Sequence, residues 1–428
     1  MKLVVLRESK YWMLMSSNAD FRNLWLARSG SFFGDSLYNL VISWLVYSMT
    51  GSSLQVGLVL VTKFLPQMLL GLLIGAWVDR WNKKRLMQIS DICQSLLTGC
   101  LLVFMLTGQL HILHVHIITV GLSILANFFA TAQNSWIPDL VQDKSQLMTA
   151  NSLMSVSLQI TRIFGTVMGG VLIAAIGNEG AVLINSASFI VSLIFIQLIR
   201  FNMAVPEQAS ESRQSIYADI REGWQWLRSQ KVLLILIALG TTSNIALGPS
   251  NVLPPMLIQK TFQGDTTALG LFNACIAIGL LLGGVFAGIY SPRRVGLSFA
   301  LGLGCQGIGS LVIAMSPTFW SACLGNIILG YGVTVAVIPM STLFQILIPS
   351  ALRGRVNSIS SMAFNISIPI TYGGVGILGD YIGAGLCYAL AGGVFILCFL
   401  AGIFNTELRQ ADLAAAQSKR PSPVSRPL

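Results

Sequence analysis

Along the 428 residues, apolar positions run in long blocks instead of alternating with polar ones. Stretches of about 20 or more such residues, enough to cross a hydrocarbon core of about 30 Å, fall at 24–49, 54–78, 85–107, 113–135, 149–176, 180–200, 232–258, 267–290, 295–315, 319–347, 356–378 and 384–404. The pattern predicts an all-α membrane protein with twelve transmembrane helices. Between the sixth and seventh spans the chain turns polar, and there Ile216, Ile220, Trp224 and Leu227 repeat at helical spacing among charges. That segment is expected to lie as an amphipathic helix in the cytoplasmic interface. The expected organisation is an N-terminal segment (1–20), a six-helix bundle (21–200), a linker (201–231), a second six-helix bundle (232–404) and a tail (405–428). Ser, Pro and Ala dominate the tail, which reads as disordered.

Composition supports this class, with 54% hydrophobic residues, 10% charged residues and a mean hydropathy of +0.73. A soluble domain does not carry so little charge. The 26 Lys and Arg residues are placed unevenly. Lys2, Arg7, Lys10, Arg22 and Arg28 flank the first span, and the even-numbered loops and the tail hold most of the others, whereas the opposite face has only Lys260. The positive-inside rule then puts both termini and the linker in the cytoplasm. Dispersed over short loops, the net charge of +10 suits anionic lipid better than nucleic acid. The seven cysteines are odd in number and all fall within spans, so neither a disulfide framework nor a CxxC metal site is expected. Arg7, Glu8, Lys10 and Asp20 interrupt the first twenty residues, which argues against a cleavable signal peptide and makes the first span the insertion signal.

The two halves resemble each other. A shift of 213 aligns Val56-Gly57-Leu58 with Leu269-Gly270-Leu271, and Gly71, Gly75 and Arg80 with Gly284, Gly288 and Arg293, while Asp79 becomes Pro292. A shift of 206 aligns Asn151-Ser152-Leu153 with Asn357-Ser358-Ile359. A duplicated six-helix unit, its copies related by an axis along the membrane normal, accounts for both.

Gly71-Leu72-Leu73-Ile74-Gly75-Ala76-Trp77-Val78-Asp79-Arg80-Trp81-Asn82-Lys83-Lys84 runs a small-residue face into a charge cluster that cannot enter the bilayer. Glycines four apart offer a groove for close helix packing. This stretch resembles the loop 2–3 signature of the major facilitator superfamily, Gly-x3-Gly-x3-Asp-Arg-x-Gly-Arg-Arg, with Asn82 and Lys83 replacing the later Gly and Arg. Further segments resemble the macrolide-efflux and enterobactin-exporter branch, which is of the drug:proton antiporter type. They are Pro138 to Val141 with Leu147 and Ala150 to Leu153, then Asp219 to Trp224, and Gln345 to Pro349 followed by Arg353 to Val356. The resemblance spans Phe21 to Phe404. It implies two pseudo-symmetric six-helix bundles and a rocker-switch exporter with a cytoplasmic gate at Asp79, Arg80, Gly71, Gly75, Lys83 and Lys84. In such a gate Asp79 approaches a helix N-terminus near Val356 to Ser358, where the dipole favours a carboxylate.

Gly165-Thr166-Val167-Met168-Gly169-Gly170 is similar to the antiporter motif Gly-Pro-x-x-Gly-Gly, with Thr166 in the Pro position. Gly165, Gly169 and Gly170 can still admit a close neighbour, although the kink that Pro would impose is lost.

Asp35 stands as the one acidic residue deep in a span, and Arg162, thirteen residues into the fifth, lies at similar depth. A buried carboxylate needs a partner, so Asp35 and Arg162 are the candidate proton-coupling pair, a static ion pair being the plainer alternative. Lys63 either faces the cavity, making it cationic and favouring an anionic or polar substrate, or snorkels to the interface. Asn39, Tyr38, Asn127, Asn134 and Asn244 are candidate cavity residues, though intramembrane amides also simply join helices. His111, His114 and His116 form His-x2-His-x-His at an external helix end and read as an interfacial loop more readily than as a metal site. No Gly-x4-Gly-Lys-Ser/Thr segment is present, so ATP-driven pumping in this chain is not indicated.

The function expected is secondary active transport. Proton-coupled efflux of a drug-like or secreted small molecule leads, from a multi-pass monomer in a bacterial inner membrane, without cofactor, metal or enzymatic activity. The alternatives are a facilitator or flippase for a lysophospholipid-like amphiphile, and a non-transporting membrane sensor.

Overall fold

The computed structural model describes residues 10–78, 80–141, 143, 145–201, 216–289, 294–349 and 352–409. Asp79 and the second-copy residues Pro292 and Arg293 lie outside this set, as do the side chains of Arg162 and Thr166. Among the described residues every regular element is helical. In chain order they are α1 (Lys10–Ser17), α2 (Ala19–Thr50), α3 (Ser53–Val78), α4 (Lys83–Leu106), α5 (Ile112–Leu140) and α6 (Leu147–Leu198). Next come α7 (Ile216–Arg228), α8 (Lys231–Ala246), α9 (Gly248–Val252) and α10 (Pro254–Met256), then a π-helical turn at Leu257–Thr261. The remaining helices are α11 (Thr266–Ile289), α12 (Val295–Ala314), α13 (Phe319–Leu347), α14 (Arg353–Phe404) and α15 (Thr406–Arg409).

Two of these helices are 52 residues long, too long for one crossing, and each contains a break. Gly177 (φ 74°, ψ 177°) divides α6 into two limbs and Gly383 (φ 80°, ψ 164°) divides α14. Only glycine adopts this backbone cheaply, and the two positions lie 206 residues apart, the shift that also aligns the sequence repeat. With α6 and α14 each counted as two spans, the twelve predicted helices are accounted for. The seventh differs from expectation: after Ala246 it continues as α9, α10 and the π turn instead of one rod. Pro249, Pro254 and Pro255 lie there, and each lacks the N–H that an unbroken helix needs.

The chain divides into two compact units, Met1–Glu211 with Gly264–Leu271, and Ser212–Gln263 with Phe272–Leu428. In the first, α2 is gripped by both limbs of α6. A Cβ on Gly165 would sit 2.5 Å from Ser36 Cβ, and one on Gly34 would sit 2.4 Å from Ser188 Oγ and 3.0 Å from Asn185 Cα. Gly169 approaches Leu37 in the same seam, its Cβ position 3.2 Å from Leu37 Cδ2. The glycines of the antiporter-like motif thus bring α6 against α2. Phe21, Leu24 and Ala27 of α2 join Met87, Phe129, Trp136 and Ile196 in the apolar core at one end of this unit. Gly71 and Gly75 behave differently: no described atom comes within 4 Å of a Cβ built on either.

The second unit is closed by a glycine zipper that sequence reading did not single out. Gly302 and Gly309 on α12 meet Gly332 and Gly325 on the antiparallel α13. A Cβ on Gly302 would lie 2.6 Å from Ala336 N and 2.7 Å from Gly332 O, and one on Gly309 2.6 Å from Gly325 O. The seven-residue spacing on each helix keeps the contacts on one stripe. Gly279 extends the zipper to α11, its Cβ position 2.1 Å from Ile327 O.

The linker helix α7 lies against protein. Gly223 packs on Arg355 and Ile359 of α14, Glu222 forms an ion pair with Arg355, and Leu227 is fully buried with Trp226 packed behind it. Trp224, expected on the inserted face, is 49% exposed. The face turned to protein is Gly223, Trp226 and Leu227. The side chains of Ile216 and Ile220 lie outside the described set.

Because the zipper is backbone against backbone, Gly302→Leu cannot be absorbed by a rotamer change. It is expected to cost about 1–3 kcal/mol or more and to lower the unfolding temperature in detergent. Gly373→Ala, which meets no described atom within 4 Å, should leave that temperature unchanged.

Candidate functional site

The polar groups inside the first unit converge from four helices. On α2, Arg28, Asp35 and Asn39 are spaced seven and four apart, so they share one face. Arg28 was assigned by sequence to the flank of the first span. It is instead nine residues into α2, with its guanidinium carbon 3.7 Å from the Phe32 ring centroid and 5.1 Å from that of Phe129. Stacking on two rings stabilises a cation that has left water. The charges of Arg28 and Lys63 both bear on Asp35. Lys63, from α3, donates to Asn39 Oδ1, while its backbone carbonyl accepts from Ser123 Oγ of α5. Both contacts of Lys63 are to groups within the first unit. Arg28, Asp35, Asn39 and Lys63 are all half-buried, surrounded by protein yet keeping accessible surface.

Asp35 is not the only carboxylate within a span. Asp91 of α4 is 1% exposed, neither of its oxygens has a hydrogen-bond partner, and its charged neighbours are Arg28 and Asp35. Ser192 of α6 faces it and is itself fully buried. Asp91 belongs to a buried polar stripe on α4, Ser90, Asp91, Gln94 and Thr98. That three-and-four spacing in an otherwise apolar helix was the available signal, and it was missed because Asp91 lies near the charged loop at 80–85. Nearby, the buried Tyr38 hydroxyl faces Thr119 of α5, with neither group hydrogen-bonded.

The other candidates are more dispersed. Asn127 donates to Ser123 O one turn away, Asn134 is exposed, and Asn244 is half-buried on α8 in the second unit. His116 contacts Thr62 and Gln55 of α3, whereas His111 and His114 cap the start of α5. Among the described residues no group of three His, Cys, Asp or Glu could hold a metal ion. Gly170's surroundings lie outside the described set.

At the charged end of the unit, Lys83 Nζ pairs with Asp139 Oδ2 at 2.7 Å and also donates to Ser135 O at 3.1 Å. Lys84 Nζ donates to Gln197 O at 3.1 Å and Ile199 O at 2.6 Å. Both ammonium groups therefore meet the final turns of α5 and α6, where free carbonyls and the helix dipole favour a cation. Asn82, the departure from the signature, caps α4 by accepting from Arg85 N at 3.0 Å. Arg80 is exposed.

The sequence matches the model of the Major Facilitator Superfamily over residues 24–370 and 245–427. It is 23% identical over 398 residues to macrolide efflux protein A of Streptococcus pyogenes, covering 92% of this chain and 97% of that protein. To multidrug efflux pump Tap of Mycolicibacterium fortuitum it is 26% identical over 394 residues, with 89% and 94% covered. In structure it resembles a mutant of nucleoside transporter NupG with a TM-score of 0.69 at 13% identity, covering 90% of this chain and 100% of the other.

The Lys83–Asp139 contact, with both side chains mostly buried at 16% and 21% exposure, predicts a measurable coupling. A double-mutant cycle of Lys83→Met and Asp139→Asn, read by thermal unfolding, should give an interaction energy of about 1 kcal/mol or more, above the usual value for an exposed pair.

Proposed function

The chain belongs to the major facilitator superfamily, and on that premise we propose that it is a proton-coupled exporter of a drug-like or secreted small molecule. It works by alternating access as a monomer in a bacterial inner membrane, with both termini in the cytoplasm. The observation that carries this reading is the collection of intramembrane charge on one six-helix unit: Asp35 lies between Arg28 and Lys63, with Asp91 behind. Ionisable groups are expensive in a bilayer and mark ion pathways. A merely structural pair would need neither a second carboxylate nor retained accessible surface. The names of the efflux relatives agree with the direction of transport.

In this reading Asp35 binds the coupling proton. When it is ionised, the charges of Arg28 and Lys63 hold it; when it is protonated, that attraction falls away and the helices bearing those cations are freed to shift. Arg162 belongs to the same proposed site through its position on α6, three residues before Gly165, where α6 meets Ser36. With Arg162 the proposed site holds three cations, Arg28, Lys63 and Arg162, against two carboxylates, Asp35 and Asp91, so an anionic or polar substrate stays compatible with it. A proton crossing 100 mV gains about 2.3 kcal/mol, and each pH unit adds about 1.4 kcal/mol. One proton per cycle therefore sustains tens- to hundreds-fold substrate gradients. Asp79 and Arg80 form the cytoplasmic gate.

Proteoliposomes holding a pH gradient, loaded with erythromycin or ethidium, test this directly. The wild-type protein should release protons on substrate addition and Asp35→Asn should not. Full proton-coupled transport by the mutant would remove Asp35 from the mechanism, and absence of proton release by the wild type with every probe would remove coupling itself. Asp79→Asn should slow transport several-fold without changing the final gradient, and an unchanged rate would dismiss the gate.

A further inference from the structure

Asp91 stands where a proton leaving Asp35 for the cytoplasm would pass. Taking a helical rise of 1.5 Å per residue, Asp35 lies about 24 Å along α2 from Ala19 and Arg28 about 13 Å along it. Asp91 lies about 12 Å along α4 from Lys83. On the orientation proposed above, both Ala19 and Lys83 begin at the cytoplasmic surface. The descending order is therefore Lys63 with Asn39, then Asp35, then Arg28 level with Asp91.

The charges are shared unequally along this order. Asp35 has Arg28 and Lys63, whereas Arg28 is the sole cation among the described groups that bear on Asp91. From α6 the neutral Ser192 faces Asp91, and α5 contributes no charged group to it among the described residues. Arg162's side chain lies outside them. Both Asp91 oxygens lack a close hydrogen-bond donor at 1% exposure, so its anionic form rests on the facing Ser192 hydroxyl and on Arg28, its one cation among the described groups. Arg28 is stacked on Phe32 and Phe129 instead of being fixed by a bidentate clasp, a support that allows a long side chain to swing.

We propose that Asp91 is a second proton-carrying carboxylate, which receives the proton from Asp35 and delivers it to the cytoplasm as the Arg28 guanidinium moves from Asp91 to Asp35. The step balances: Asp35 loses its proton and gains Arg28, and Asp91 loses Arg28 and gains the proton. The proton comes from the external medium and leaves to the cytoplasm. Arg28 is a positioning residue that makes the two protonations mutually exclusive. The proposal rests on the proton-coupled reading above.

The test uses full-length protein in proteoliposomes with erythromycin as the probe, measuring pH-gradient-driven uptake beside erythromycin exchange at equal pH, which needs no net proton movement. Asp91→Asn should keep exchange within about two-fold of wild type and lose at least ten-fold of gradient-driven uptake. Undiminished driven uptake by Asp91→Asn overturns the proposal while leaving Asp35 coupling intact. A wild-type protein that exchanges but is not driven by the gradient overturns both. Should Asp91→Asn not fold, Asp91→Glu, which keeps the acid, decides the matter. It should remain gradient-driven with a displaced pH–rate midpoint, and a profile coincident with wild type overturns the proposal.

Discussion

The rest of the first unit depends on the cost of charge inside a helix that must cross lipid. An ionised side chain at the bilayer centre costs several kcal/mol, and α2 carries both Arg28 and Asp35. It is not among the helices apolar enough to cross unaided. Such a helix has to be enclosed by protein, and enclosure on two sides demands small residues at the crossings. Gly34 against Ser188 and Gly165 against Ser36 supply them. The glycines of the helix-five motif thus follow from the charges of helix one, since a side chain at Gly165 would separate α2 from the helix that shields it.

The second unit repeats the frame without the charges. Gly177 and Gly383 make the same turn at equivalent positions. The crossing at Gly165 and Ser36 also recurs, with the small residue moved to the other helix. Thr371, 206 positions after Gly165, meets the Cβ position of Gly248 at 2.3 Å. The geometry of the crossing is kept, and which helix gives way is not. Alongside the Glu222–Arg355 ion pair, this unit joins its helices through backbone contact at Gly302, Gly309, Gly325 and Gly332 and through neutral bonds such as Asn326 to Phe272 O and Ser243 to Gln306. On the proposed reading one copy changes protonation while the other stays closely packed.

This division bears on what was legible in the sequence. Span positions, the duplication and the motif glycines could be read because bilayer thickness and chain shift leave one-dimensional traces. Asp35 was visible as a charge in an apolar block. Arg28 and Asp91 were not, since each lies within nine residues of a helix start, where a charge is ordinarily explained by the interface. Only the tertiary arrangement turns them inward. The face of α7 that meets α14 was not legible for a related reason. Periodicity identifies an apolar stripe, but Gly223 carries no hydropathic signal, and it is the glycine that lets Arg355 and Ile359 approach.

The same tertiary arrangement sorts the roles within the 79–84 signature. A lysine at the cytoplasmic edge serves topology wherever its ammonium points, so topology alone would not explain Lys83 against Asp139 and Ser135 or Lys84 against the carbonyls of Gln197 and Ile199. Those contacts hold the ends of α4, α5 and α6 together as one body. On the proposed reading a rocking unit needs such rigidity, because a shift at Asp35 is transmitted only if the helices move together. Both lysines are satisfied inside the unit, and Asn82 caps α4. On the proposed reading Lys83 and Lys84 share the gate with Asp79 and the exposed Arg80, and their contacts also stiffen the unit that bears it.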